Sequence, residues 1–346
     1  MRIRRRLPLV FAVLAIAAAV AVVVVLRKHA PPEPARLLPS ADGFVYINLK
    51  WMRRANIGGE LPVVSHDPEY EQFIAATGFQ FERDLDEAAL AIHSASAQPS
   101  SSGASPETRF SEVFVGKLQG ERLSGYLRKN ANAVEDYRSI QIYNIPLEGR
   151  TLRVAILGVD SVAASNYPDP QVIRGIIDRS RKLASPFGGP ALLRQYYKEV
   201  PFASLGWTIF KLEPGKGGPG AGNSEWSFLF SRPAVVVASL RYLGAVHVRA
   251  EAFTASEDEA KEVTQQAGTF LSVLQAAGGA ATPGQDADVK AVFDSLKVEQ
   301  QKNRAVLTAI VPVSFIRKML AATPLGAGSP QQSQPAPPQK GKGGSK

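Results

Sequence analysis

Residues 7–26 run for twenty positions without a charge, almost all Val, Ala, Leu or Ile. As a helix rising ~1.5 Å per residue, the run spans a hydrocarbon core of ~30 Å. Pro8 falls in the first turn, where a missing amide donor costs little. Arg2, Arg4, Arg5 and Arg6 precede the run and only Arg27 and Lys28 follow it, so the positive-inside bias places residues 1–6 in the cytoplasm. The expectation is a single-pass protein of the cytoplasmic (inner) membrane, with its C-terminal domain in the periplasm or outside. The lipid bilayer is its first partner, through residues 7–26. A cleaved signal peptide competes, because Ala19-Val20-Ala21 has the small-x-small pattern of a cleavage site. Cleavage there would leave a bare apolar N-terminus, and the run exceeds a usual signal core, so retention as a signal anchor is favoured. No Cys follows the run, which excludes a lipoprotein anchor.

The absence of cysteine also removes disulfides, thiolate zinc sites and cysteine nucleophiles. A pI near 9.7 suggests nucleic acid until the charge is divided by region. Residues 1–35 carry a net +5 and residues 327–346 a net +3, which leaves the middle of the chain near neutral. A basic phosphate-binding face on the folded part is therefore not expected, and no nucleic-acid partner is assigned.

Residues 27–37, with Pro31, Pro32 and Pro34, read as an extended proline-rich spacer. Residues 38–325 read as an extracytoplasmic α+β domain, with a break between two lobes near residue 185. Residues 326–346, built of Pro, Gln, Gly, Ser and Lys, read as a disordered tail. Within the domain a succession of two strands and a helix recurs. Ala88 to His93 and Phe110 to Leu118 precede a helix near Glu121 to Asn130. Leu152 to Leu157 and Ser161 to Ser165 precede a helix from Pro170, with Asp169 as its cap. Ala234 to Leu240 and Ala245 to Phe253 precede a long helix with Ser256 and Glu259 at capping-box spacing. Leu296 to Glu299 and Ala305 to Val311 precede one started by Pro312. Low-complexity inserts at 94–106 and 215–223 read as hairpin connections. This order predicts an α+β fold, a mostly antiparallel sheet built from strand-strand-helix units and preceded by one N-terminal transmembrane helix.

Leu38-Pro39-Ser40-Ala41-Asp42-Gly43-Phe44-Val45-Tyr46-Ile47-Asn48, with Gly78-Phe79 and Arg83-Asp84-Leu85-Asp86 further on, resembles a group of membrane-anchored bacterial proteins of unknown function. The match covers the first third of the chain. The resemblance implies an extracytoplasmic α+β domain and carries over no catalytic residue.

The chemistry is sparse. His29, His66, His93 and His247 lack metal-ligand spacing, so no metal or cofactor is assigned; alternation in its strand makes His247 an exposed or edge-facing side chain. There is no G-x-S-x-G elbow and no S-x-x-K pair. Asp84 and Asp86, beside Glu87 at the mouth of a strand, are the candidate acid and base; a solvated acidic turn balanced by Arg83 is the competing account. Tyr196, Tyr197 and Trp207, in the aromatic stretch with Phe202 and Phe210, are candidates to line an apolar pocket, against simple core packing. The leading expectation is a non-enzymatic binding or scaffolding domain with an envelope protein partner. The alternatives are a membrane-anchored hydrolase using Asp84 or Asp86, and a carrier of an apolar ligand.

Overall fold

A computed structural model describes residues 30–59, 66–93, 109–147, 149–181, 188–213, 229–280 and 287–322. The run at 7–26, the inserts at 94–106 and 215–223 and the tail at 326–346 lie outside the described residues. No helix among the described residues is long and apolar enough to cross a membrane.

The chain opens with α1 (Glu33–Leu37), β1 (Gly43–Asn48), α2 (Leu49–Arg54), α3 (Pro68–Thr77) and α4 (Phe81–Asp84). β2 (Leu85–His93) and β3 (Arg109–Gly116) follow, then α5 (Gly120–Asn130) and the meander β4 (Ala133–Tyr137), β5 (Ile140–Leu147), β6 (Arg150–Ile156) and β7 (Ser161–Ser165). α6 (Gln171–Arg181), α7 (Ala191–Tyr196) and a 3-10 turn (Tyr197–Glu199) lead to β8 (Gly206–Leu212), β9 (Ala234–Tyr242) and β10 (Val246–Phe253). α8 (Glu257–Ala280), α9 (Ala287–Ser295), β11 (Lys297–Gln301), β12 (Arg304–Val311) and α10 (Val313–Ala322) complete the described chain.

The twelve strands form one open sheet ordered β11-β12-β10-β9-β8-β1-β2-β3-β7-β6-β5-β4. Every neighbouring pair is antiparallel. The order contains one motif twice. β1, β2 and β3 lie side by side, a helix crosses to the far edge, and a meander returns to pair with β3. β8, β9 and β10 repeat this, with β12 returning to β10. β1 and β8 join the halves back to back, with Val45 opposite Thr208. The registers then make Leu90, Glu112 and Ala164 of one half the counterparts of Ala238, Ala250 and Leu307 of the other.

Strand alternation divides the residues between two faces. One face carries Phe44, Ala91, Val113, Ile142 and Ile209, covered by α1, α6 and α7 through Leu37, Ile173, Ile176 and Leu193, and this is the main core. On the other face the helices sit over the wings. Leu123 and Leu127 of α5 cover Tyr143, Val154 and Val162. Val263 of α8 packs with Ala234, Ala252 and Ala305. Between them the middle of this second face stays open, and Val45 and Leu240 remain 37% and 36% exposed.

Several expectations are revised. The proline-rich segment is no extended spacer where it is described: residues 33–37 are helical, with Pro34 in the first turn and Ala35 and Leu37 buried. Proline suits a helix start, and the apolar side chains between the prolines supply the burial. β4 and β5 went unread. Their turn places Arg138 and Ser139 at φ 50° and 60°, a left-handed pair usually announced by Asn-Gly. His247 is half-buried on β10, an interior strand between β9 and β12. The cap at Asp169 forms as expected, accepting from the Gln171 amide at 2.8 Å, and Asp67 caps α3 in the same way, accepting from the Tyr70 amide at 2.8 Å. At α8 the Ser256 hydroxyl accepts from the Glu259 amide (3.2 Å), while the Glu259 carboxylate reaches the Ala255 amide (3.1 Å), one residue earlier than a standard capping box.

Candidate functional site

The acids at the start of β2 are dispersed. Asp84 is buried and receives two bonds from Arg83, at 2.6 and 2.9 Å, and one from the Gln80 amide. The Arg83 guanidinium holds its carboxyl below the usual carboxylate range. Asp86 accepts from Arg53 at 2.7 Å and Lys50 at 3.4 Å. Glu87 accepts from the Tyr46 hydroxyl at 2.8 Å. Each carboxylate is committed to a separate partner.

The aromatic stretch also divides. Trp207 stacks on Tyr46 (5.5 Å between centroids), and Tyr197 meets Trp207 edge-on (5.4 Å). Burial pushes the Tyr197 hydroxyl up to about 12 and raises that of Tyr46, so both stay protonated. Tyr196 turns to Phe253 instead. Phe210 alternates to the second face and packs with the α8 core, and Phe202 is 65% exposed. Trp207 is 4% exposed, and among the described residues no acceptor reaches its Nε1. This cluster fills space between the 3-10 turn and the sheet.

A buried serine and histidine do approach each other. His93 Nε2 lies 3.3 Å from Ser111 Oγ, which sits 2.9 Å from Ser165 Oγ. Ser111 has no exposed surface, and burial lowers the His93 pKa and keeps the ring neutral. Substrate has no route to that hydroxyl in this arrangement. His66 lies between Glu71 (2.7 Å) and Glu82 (3.5 Å) and takes no part in the buried serine–histidine contact.

The unexplained group is Glu112. Cross-strand neighbours place its side chain on the open second face, between Leu90 of β2 and Ala164 of β7, with Phe110 and Phe114 above and below it on β3. Beside it, between the helix-covered wings, this face carries a strip, the trough, formed by Val45, Ile47, Thr208 and Ala238, and Phe81 packs edge-on against Phe114 at its border. No hydrogen bond or ion pair reaches the carboxyl among the described residues, and loss of solvent alone pushes it up to about 7. The counterpart position in the other half is Ala250, so the fold is built there without a carboxyl. Sequence reasoning passed Glu112 over. Its signal was an acid in phase with Phe110 and Phe114, on the apolar side of the alternation.

The fold and trough define an α+β protein built on a single open antiparallel sheet with one carboxyl set in an apolar stretch of it. Among solved structures, three crystal forms of TP0453 resemble the chain. Form III aligns with a TM-score of 0.43 and 9% identity over 85% of this chain and 99% of that one. Forms I and IV each give 0.42, with 10% and 8% identity, over 84% of this chain and 98% of those. The chain matches no protein-family model and no curated protein.

Proposed function

We propose that this is a membrane-tethered envelope protein whose folded domain binds a small apolar molecule in the trough, without catalysis. The observation that carries this reading is Glu112, an unpaired carboxyl on an apolar surface where the equivalent residue of the other half is alanine. An unpaired polar group half-removed from water is costly, and a ligand that offers a hydrogen-bond donor removes the cost on binding. Pockets of this composition, apolar with one or a few convergent polar groups, are the common form of small-molecule sites. The near-neutral charge of the folded region agrees with an apolar ligand. The apolar run at residues 7–26 supports the tether. The reading moves the ligand from the Tyr196, Tyr197 and Trp207 cluster, which is filled, to the opposite face.

Native mass spectrometry of the full chain released from detergent tests it. The expected result is one bound small molecule, absent from a Val45→Trp variant whose indole fills the trough. If the wild-type chain carries nothing, or the variant carries the same adduct, the trough is not the site.

A further inference from the structure

One end of the sheet gathers an unusual set of exposed side chains. β1 and β12 end there, β8 begins there, and the β9–β10 hairpin turns there, as the registers of Ile47 with Gly206, Gly206 with Leu240 and Val246 with Val311 require. Ile57, Leu205 and Val246 form a small core beneath it, with Met52 of α2 and Ile316 of α10 packed against them. Above that core, large apolar side chains point outward from three separate segments. Trp51 of α2 is 56% exposed, Leu243 at the hairpin tip 58%, and Phe202 in the approach to β8 is the most exposed of the three.

Cations stand among them. The Arg54 guanidinium lies 5.3 Å from the Trp51 ring centroid. Lys50 and Arg53 share the same short helix, and Arg241 precedes Leu243 by two residues. Arg317 of α10 reaches across to the Asn56 carbonyl at 2.7 Å. Among the described residues the acids beside these cations are Asp86, held by Arg53 and Lys50, Glu87, held by Tyr46, and Glu82, whose carbonyl accepts from Arg53; against Lys50, Arg53, Arg54, Arg241 and Arg317 they leave this end basic.

We infer that this end is a bilayer-contact face that seats on anionic lipid headgroups. A protein partner needs a contiguous apolar centre that excludes water and packs at interior density. Here the exposed apolar side chains come from separate segments, and Trp51 shares its helix with Lys50, Arg53 and Arg54 while Leu243 follows Arg241 by two residues. That pattern suits a fluid partner which takes each side chain individually, with aromatic rings and aliphatic tips below the headgroups and guanidinium groups among the phosphates. The inference is independent of what occupies the trough.

The chain has no cysteine of its own, so a single introduced thiol reports on one place. The full chain carrying Leu243→Cys, labelled with an environment-sensitive nitrobenzoxadiazole, is reconstituted with phosphatidylcholine vesicles with or without phosphatidylglycerol. The expected result is a several-fold brightening that needs the anionic lipid, is quenched by brominated acyl chains, weakens in high salt and is lost on adding Arg54→Glu with Lys50→Glu. A label at Lys302→Cys, in the β11–β12 turn at the opposite end, stays in water. No response at position 243, or an equal response at 302, overturns the inference. Shielding at 243 that grows with protein concentration in the absence of vesicles also overturns it, because the face would then join copies of the chain.

Discussion

Glu112 ties the stability of the molecule to pH. In the unfolded chain its carboxyl ionises near 4.5, and in the folded chain near 7. Between those values the folded state holds a proton that the unfolded state releases. The contribution is therefore fully present below about 4.5 and is lost as pH rises through about 7. Denaturant titrations at about pH 5 and about pH 8 should differ by roughly 2 kcal/mol from this group alone, with the acidic condition the more stable. Glu112→Gln should remove that difference and stabilise the protein at the higher pH; an unchanged pH profile in the variant would assign the dependence to another group. The residue was legible in principle, since an acid in phase with Phe110 and Phe114 breaks the alternation. Reading it required knowing which face lacked a helix, and that depends on contacts between segments far apart in sequence. The acids that did attract notice, Asp84 and Asp86, are prominent in one dimension and become ordinary ion pairs in three.

At the scale of elements, caps and hairpins with conventional signals were readable, and those without them were not. Asp67-Pro68 and Asp169-Pro170 mark helix starts, and both aspartates accept from the helix amides. The pairs β2–β3, β6–β7, β9–β10 and β11–β12 followed from strand patterns, joined in β6–β7 and β9–β10 by the short turns at Gly158-Val159-Asp160 and Tyr242 to Gly244. The β4–β5 hairpin had no such marker. Its turn residues are arginine and serine in a conformation that L-residues adopt at a cost of roughly 1 kcal/mol each. Pro146 further disguises β5; it lies beyond the last β4 pair, Ala133 with Asn144, where the missing amide has no β4 partner to satisfy. Ser139→Gly should accordingly stabilise the protein by about 0.5–1 kcal/mol, seen as a higher denaturation midpoint with unchanged slope. A midpoint that falls would mean the serine side chain does something the backbone angles do not reveal.

The whole molecule depends on the seam between β1 and β8. Gly206 sits in that seam, and a Cβ built on it would come within 3.2 Å of the Tyr46 carbonyl oxygen. Gly206→Val should push the strands apart and destabilise the protein by about 1–3 kcal/mol, the usual cost of overpacking. If the two halves form one cooperative unit, a single unfolding transition shifts as a whole; two separated transitions would show that each half stands alone. The seam also sets an order of events during synthesis. β1 is among the first strands to leave the ribosome, yet its second neighbour begins only at Gly206. At ~5–20 residues per second, one edge of β1 waits roughly ten to thirty seconds for its partner. Through that interval a half-built sheet presents a row of unpaired amides and carbonyls to whatever strand is nearest, and slower synthesis lengthens that exposure.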